Sequence, residues 1–157
     1  MVIPASGIRK GLEWPRVTYL THRRKLTIER GHCDPAGALS NRRYLEYFDW
    51  STWLLFEHAL GLAPASLRPT FGVSMPLVDV KARFVVPAKA GDVVEIDSTI
   101  GEFRRSSFEV RHRMWKDGQL VAEAQEVRVW AESDPNDSLR LRSKPIPAEI
   151  IARFRGG

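Results

Sequence analysis

A length of 157 residues, 43% hydrophobic and 27% charged, fits one globular domain with its own core. It excludes a membrane-spanning helix, since no apolar run approaches the roughly 18 residues one needs. The lone cysteine, Cys33, excludes an internal disulfide framework, residues 1–14 hold no long apolar stretch of the secretory kind, and a formal charge of +5 favours an anionic partner.

Residues 1–16, with Pro4, Gly7, Gly11 and Pro15 and little periodicity, predict a loose arm ahead of a single domain over 17–157. A first strand is expected over 17–29, carrying the basic run His22-Arg23-Arg24-Lys25 and ending in Lys25-Leu26-Thr27-Ile28-Glu29. The chain then turns through Gly31-His32-Cys33-Asp34-Pro35-Ala36-Gly37, where proline and glycine punctuate the backbone. From Asn41 to Leu60 the pattern is that of one long helix. Leu45, Phe48, Leu55, Phe56 and Ala59 recur at helical spacings, yet the opposite side carries Tyr47, Trp50, Trp53 and Leu54. A helix apolar nearly all round is usually buried, so a central helix wrapped by other elements is expected. Gly61 suits a left-handed C-cap, and 63–69 reads as a proline-bearing loop.

Beyond it the period becomes that of strands. Residues 71–86 are rich in Val, Phe and Leu, with Pro76 demoting the first part to a bulge or an edge. Residues 92–103 alternate through Val94, Ile96, Ser98 and Ile100, and 107–115 through Phe108, Val110, His112 and Met114. Asp117-Gly118 is a strong hairpin signal, and 119–131 completes that hairpin. Residues 134–144 read as polar loop and 147–154 as a short terminal helix. The order predicts an α+β fold, one long helix against an antiparallel sheet of about five strands. The sheet's exposed outer face and edges predict association of subunits.

The chemistry concentrates where Asp34 precedes the helix by seven residues. Helix N-termini present unpaired N–H groups and partial positive charge, with Ser40 or Asn41 as an acceptable N-cap. A carbonyl placed there is polarised by main-chain donors, and a facing carboxylate can attack it or activate a water. The plainer reading of Asp34 is an Asx-turn before Pro35. Cys33 beside His32 does not make a thiol dyad, because adjacent residues of an extended segment point apart. His22, His32, His58 and His112 lack metal-ligand spacing, and His112 reads as a residue of the sheet surface or an interface. No cofactor and no metal are expected. Nucleic acid is not expected either: a binder of single strands interleaves basic residues with exposed aromatics, whereas Trp50 and Trp53 fall on the helix read as buried.

The run Cys33-Asp34-Pro35-Ala36-Gly37, followed by Tyr44-Leu45-x-Tyr47-Phe48, resembles the hot-dog-fold thioesterases of the 4-hydroxybenzoyl-CoA thioesterase branch. So does Glu102-Phe103-Arg104-Arg105-Ser106-Ser107-Phe108, followed by Arg111-His112 and then Glu126-Val127-Arg128-Val129. The similarity covers about 17–150. It implies a hot-dog fold, assembly as a dimer or tetramer with sites between subunits, and hydrolysis of an acyl-CoA thioester, CoA being part of the substrate. Asp34 matches the catalytic carboxylate, as nucleophile or general base. Asn41 matches the position whose backbone amide polarises the thioester carbonyl, and Gly37 lies in the substrate-binding loop. Arg104, Arg105 and Ser106 match the stretch that contacts CoA phosphates, which is favoured for the two arginines over a plainer reading as solvated surface. Asp49 matches an Asp near the hydroxyl of an aryl acyl group, against a plainer reading as a surface network with Glu46 and Arg42. The chain departs from the family at the helix start, where Ser40-Asn41-Arg42-Arg43 replaces a common Tyr-His-x-Asn pattern, which puts the fixing of the loop in question. The alternatives are a general short- or medium-chain acyl-CoA thioesterase and a hot-dog domain that binds acyl-CoA without cleaving it.

Overall fold

The computed structural model describes Leu12, Trp14 and residues 19–155. The arm expected over 1–16 otherwise lies outside the described residues, as do residues 17 and 18 of the expected first strand. The elements run β1 (Thr21–Thr27), α1 (Asn41–Leu60), α2 (Leu67–Phe71), β2 (Leu77–Phe84), β3 (Val93–Phe103), β4 (Ser107–Lys116), β5 (Gln119–Val129), β6 (Ala131–Asp134), β7 (Asp137–Ser143) and α3 (Ala148–Arg153). One antiparallel sheet has the order β1-β3-β4-β5-β2, and α1 packs against it. The expected architecture is the observed one.

Local chemistry explains the boundaries. Gly61 ends α1 at φ 70° with its N–H on the Glu57 carbonyl, 2.8 Å away. Asp117 and Gly118 both adopt positive φ, 48° and 77°, as a two-residue turn joining β4 to β5 requires. Pro76 stands just before β2, which is an edge strand with a register shift between Leu77 and Asp79. Two expectations are corrected. The segment read as loop over 63–69 contains the start of α2, and the one read as polar loop over 134–144 is mostly β7, paired with β6. Leu139 and Leu141 alternate as strand residues should, but β7 is highly exposed, with Leu139 at 92%, so its composition is polar.

The side of α1 that enters the core also differs from expectation. The buried stripe is Tyr44, Phe48, Ser51, Thr52, Leu55, Phe56 and Leu60, while Trp50 is 53% exposed and Leu45, Trp53 and Leu54 are half-buried. The helix is therefore not wrapped on all sides within one subunit. Its N-terminal half packs with Ile28, Val94, Ile96, Met114 and Ala122. Its C-terminal half packs with Ile100, Phe108, Val110, Trp130, Ile150 and Phe154. Burying each large side chain is worth about 1.5–3 kcal/mol. A polar layer separates the two clusters: Ser98 falls between Ile96 and Ile100, His112 between Val110 and Met114, and Thr52 between Phe48 and Leu55. His112 is 1% exposed, which corrects its expected place at the sheet surface or an interface. No helix among the described residues is long and apolar enough to cross a membrane.

Candidate active site

The loop before α1 is closed by pairing of Cys33 with Leu39. The Asp34 N–H donates to the Ala38 carbonyl at 2.8 Å, and the Gly37 N–H to the Asp34 carbonyl at 2.9 Å. Gly37 sits at φ 87°, a conformation that L residues with a Cβ rarely adopt, and its carbonyl accepts from Ala90 N at 3.0 Å. Inside this loop Oδ1 of Asp34 accepts from the amides of Ala36 and Ala38, at 2.9 and 3.0 Å. The Asx-turn reading is thus correct as geometry, and it uses one oxygen only. Among the described residues Oδ2 has no hydrogen-bond partner, and Asp34 is exposed in the single subunit.

Ser40 occupies the N-cap of α1, but its side chain makes no cap bond. Its Oγ turns instead to the His32 carbonyl, 3.2 Å away. Arg43 N donates to the Ser40 carbonyl at 2.9 Å, while the amides of Asn41 and Arg42 find no acceptor among the described residues. The first turn holds no acidic side chain and carries Arg42 and Arg43, so the positive end of the helix dipole is reinforced rather than neutralised. Such a terminus is ready to receive an oxygen bearing negative charge.

The departure from the common family pattern is compensated by other contacts. Nδ1 of His32 lies 2.6 Å from the Tyr47 hydroxyl. Ala88 N donates to the Tyr44 hydroxyl at 2.9 Å, and Leu39 N to the Ala88 carbonyl at 2.8 Å. The loop is thereby fixed to the helix and to the segment before β3. His32 is committed to Tyr47, and Sγ of Cys33 faces the Glu29 carbonyl at 3.5 Å, so no thiol dyad forms.

Arg104, Arg105 and Ser106 form the β3–β4 turn. Arg104 is already paired, with Glu102 at 3.1 Å and Glu109 at 3.0 Å. Arg105 is exposed and has no carboxylate partner among the described residues.

Asp49 does not pair with Arg42. Glu46 takes Arg43, at 2.7 Å, and Asp49 Oδ1 accepts from Nη2 of Arg128. Sequence reasoning gave no role to Arg128 or Glu126. They follow Ala122 and Ala124 at alternate positions of β5, on the parity that faces the core, and charged residues at that parity were the available signal. Burial works to raise the Glu126 pKa, but the neighbouring His112 and Arg128 outweigh it and hold the carboxyl at about 2. Burial acts to lower the Arg128 pKa, yet Glu126 and Asp49 raise it overall.

A concavity of about 620 Å³ opens beside Arg23, Lys25, Glu95 and Trp115, and none of the expected site residues lines it. No group of three or more His, Cys, Asp or Glu that could hold a metal occurs among the described residues.

The family model described as the thioesterase-like superfamily matches residues 28–154. The chain is 37% identical over 131 residues to 4-hydroxybenzoyl-CoA thioesterase of Pseudomonas sp. (strain CBS-3), covering 79% of this chain and 90% of that one. It is 27% identical over 106 residues to 1,4-dihydroxy-2-naphthoyl-CoA hydrolase of Prochlorococcus marinus (strain NATL2A), covering 62% and 66% respectively. The solved structure of the Pseudomonas enzyme superposes with a TM-score of 0.76 at 34% identity, over 85% of this chain and 98% of that one.

Proposed function

This chain belongs to the thioesterase-like superfamily, and from that premise we propose that it hydrolyses the CoA thioester of a hydroxylated aryl acid, with 4-hydroxybenzoyl-CoA as the leading substrate. It is an acyl-CoA thioesterase: thioester and water give a free acid and CoA. The observation that carries the assignment of the site is a loop, running directly into the uncapped start of α1, whose carboxylate has one oxygen tied down and the other without a partner among the described residues.

In this reading the thioester carbonyl oxygen lies at the helix terminus and accepts from the Asn41 amide. That donor is fixed before the reaction and stabilises the charge that grows on the oxygen. Asp34, held through Oδ1 by two amides, presents Oδ2 to the carbonyl carbon, where it attacks directly or takes a proton from an attacking water. The tether removes rotational freedom that the reaction would otherwise have to freeze. Gly37 supplies the left-handed turn that brings the Ala38 amide back onto Asp34. Arg105, backed by Arg104 and Ser106, meets the CoA phosphates. Asp49 accepts a hydrogen bond from the aryl hydroxyl. The reaction needs no cofactor and no metal, and we place it in the cytoplasm, with neither nucleic acid nor membrane as partner.

The working form is a homo-oligomer, a dimer or a tetramer. Supporting this, Trp50 on α1 and Leu77, Val78, Phe84 and Val85 on and beside the edge strand β2 are 41–59% exposed. Such apolar surface and an unpaired edge call for cover, and Asp34 is open in the single subunit. Light scattering is expected to show an assembly larger than a monomer.

The decisive experiment follows free-thiol release from 4-hydroxybenzoyl-CoA, benzoyl-CoA and hexanoyl-CoA. The hydroxylated aryl thioester is expected to have the highest kcat/KM. Preference for either of the others hands the assignment to a general acyl-CoA thioesterase, and binding without thiol release to a non-catalytic acyl-CoA-binding domain.

A further inference from the structure

We infer that Arg128 is a positioning residue for substrate choice: it holds one oxygen of Asp49 from the core side and so presents the other at a fixed place to the hydroxyl of the acyl group. The inference rests on the proposed role of Asp49 as acceptor of that hydroxyl.

The side chain of Arg128 is 3% exposed, and its guanidinium is held on several sides. Nε donates to Glu126 Oε1 at 3.1 Å, Nη2 to Glu126 Oε2 at 3.1 Å, and Nη1 to the Met75 carbonyl at 2.9 Å. Nη2 also donates to Asp49 Oδ1. Glu126 is itself anchored, accepting from the Thr52 hydroxyl and lying 3.2 Å from His112 Nε2. Nδ1 of His112 is 2.7 Å from Ser98 Oγ. The position of the guanidinium is therefore set jointly by α1, β3, β4 and β5. Asp49 differs from the rest of the network: its side chain is 48% exposed, and among the described residues Oδ2 has no partner. A lone carboxylate this open samples several rotamers, and the fixed guanidinium selects one.

Stability alone does not account for the arrangement. A buried ion pair is often no better than well-packed apolar residues of similar volume, and apolar clusters already flank this layer on both sides. What the layer adds is a rigid donor reaching out to a surface carboxylate. The contact occupies one oxygen of Asp49 and leaves the other as an acceptor, suited to a phenol and unsuited to an unsubstituted ring. A site built to hydrogen-bond a hydroxyl discriminates against analogues lacking it only while its acceptor is held in place.

The test is the ratio of kcat/KM for 4-hydroxybenzoyl-CoA over benzoyl-CoA in the wild type, Arg128→Lys, Asp49→Ala and the double variant. Lysine keeps the charge but lacks the planar fork needed to serve Glu126 and Asp49 together. The ratio is expected to fall about tenfold in Arg128→Lys. It should collapse in Asp49→Ala and drop no further in the double variant, the signature of two residues acting on one contact. A wild-type ratio in Arg128→Lys, or a proportional loss for both thioesters, overturns the positioning role while leaving that of Asp49 intact. A wild-type ratio in Asp49→Ala overturns the aryl-hydroxyl reading itself and the inference with it. Should Arg128→Lys fail to fold, Asp49→Glu replaces it: this variant leaves the buried layer untouched, keeps the charge and displaces the carboxylate by one methylene. Its ratio is expected to fall, and an undiminished ratio overturns the inference.

Discussion

Tyr47, on the second turn of α1, places its hydroxyl 2.6 Å from Nδ1 of His32, so the loop that carries Asp34 and the helix that carries the Asn41 amide are joined by a side-chain contact as well as by the chain. Replacing Tyr47 by Phe keeps the ring and removes the contact. The expected cost in stability is about 1 kcal/mol. The expected cost in kcat is about fivefold, with KM little changed, because carboxylate and amide lose their mutual alignment. Denaturant titration and steady-state kinetics on the same preparation check both. An unchanged kcat would mean that the loop holds its geometry without this bond.

Asp34→Asn preserves shape and removes charge. If Oδ2 attacks or deprotonates, kcat falls by about 10²–10⁴ while binding of the thioester is largely kept. Near-normal turnover would return Asp34 to the role of a turn residue. Asparagine keeps a carbonyl oxygen for the Ala36 and Ala38 amides, so the loop should remain folded, and an unshifted unfolding midpoint checks that.

The β3–β4 turn separates two arginines that look equivalent in sequence. Arg104 has Glu102 and Glu109 as partners, so a phosphate must compete for it, whereas Arg105 has no such rival among the described residues. Arg105→Ala is therefore expected to raise KM for CoA thioesters about fivefold and Arg104→Ala by about twofold or less, with kcat nearly constant in both. The KM of the wild type should also rise with salt, since exposed charges are screened. Equal effects of the two substitutions would contradict the division of labour.

Two titrations shape stability against pH. Burial, then the proximity of His58 and Arg24, lowers the pKa of His22 below 6.5. The folded state thus binds this proton less readily than the unfolded state, and stability is lost as pH falls below about 6.5. Glu126 is held at about 2 against an ordinary value of 4.5, so its contribution is present above 4.5 and is lost between 4.5 and 2. The denaturant midpoint should decline in two stages, and His22→Leu should remove the upper one. A midpoint flat from pH 8 to pH 5 would exclude the first stage.

The strands and the loop were legible because their signals are local. Val94, Ile96, Phe108, Val110 and Met114 alternate as a half-buried sheet demands, Asp117-Gly118 names its own turn, and Asp34 stands next to the helix start in the chain. The inward side of α1 was not legible. Trp50, Trp53 and Leu54 outweigh Ser51 and Thr52 by composition, yet the latter pair turns inward because Arg24 and His112–Glu126 wait there with matching polar groups. Those partners are 27, 60 and 74 residues away in sequence, so no window centred on the helix contains them. Asp49 enters from the sequence only through its match to an Asp near an aryl hydroxyl. Its tie to Arg128, 79 residues distant, became visible only when α1 was laid across β5.

The hydroxyl of Ser40, turned to the His32 carbonyl instead of capping α1, leaves an engineer with a conflict between heat resistance and turnover. Asp at an N-cap is worth about 0.5–2 kcal/mol over a residue that makes no cap bond, so a screen for thermal survival alone would favour Ser40→Asp. The new carboxylate would accept from the Arg42 amide and set a negative charge beside the Asn41 amide, against the charge that in the proposed reaction grows on the thioester oxygen there. Breeding this protein for toughness at residue 40 would thus breed out its chemistry.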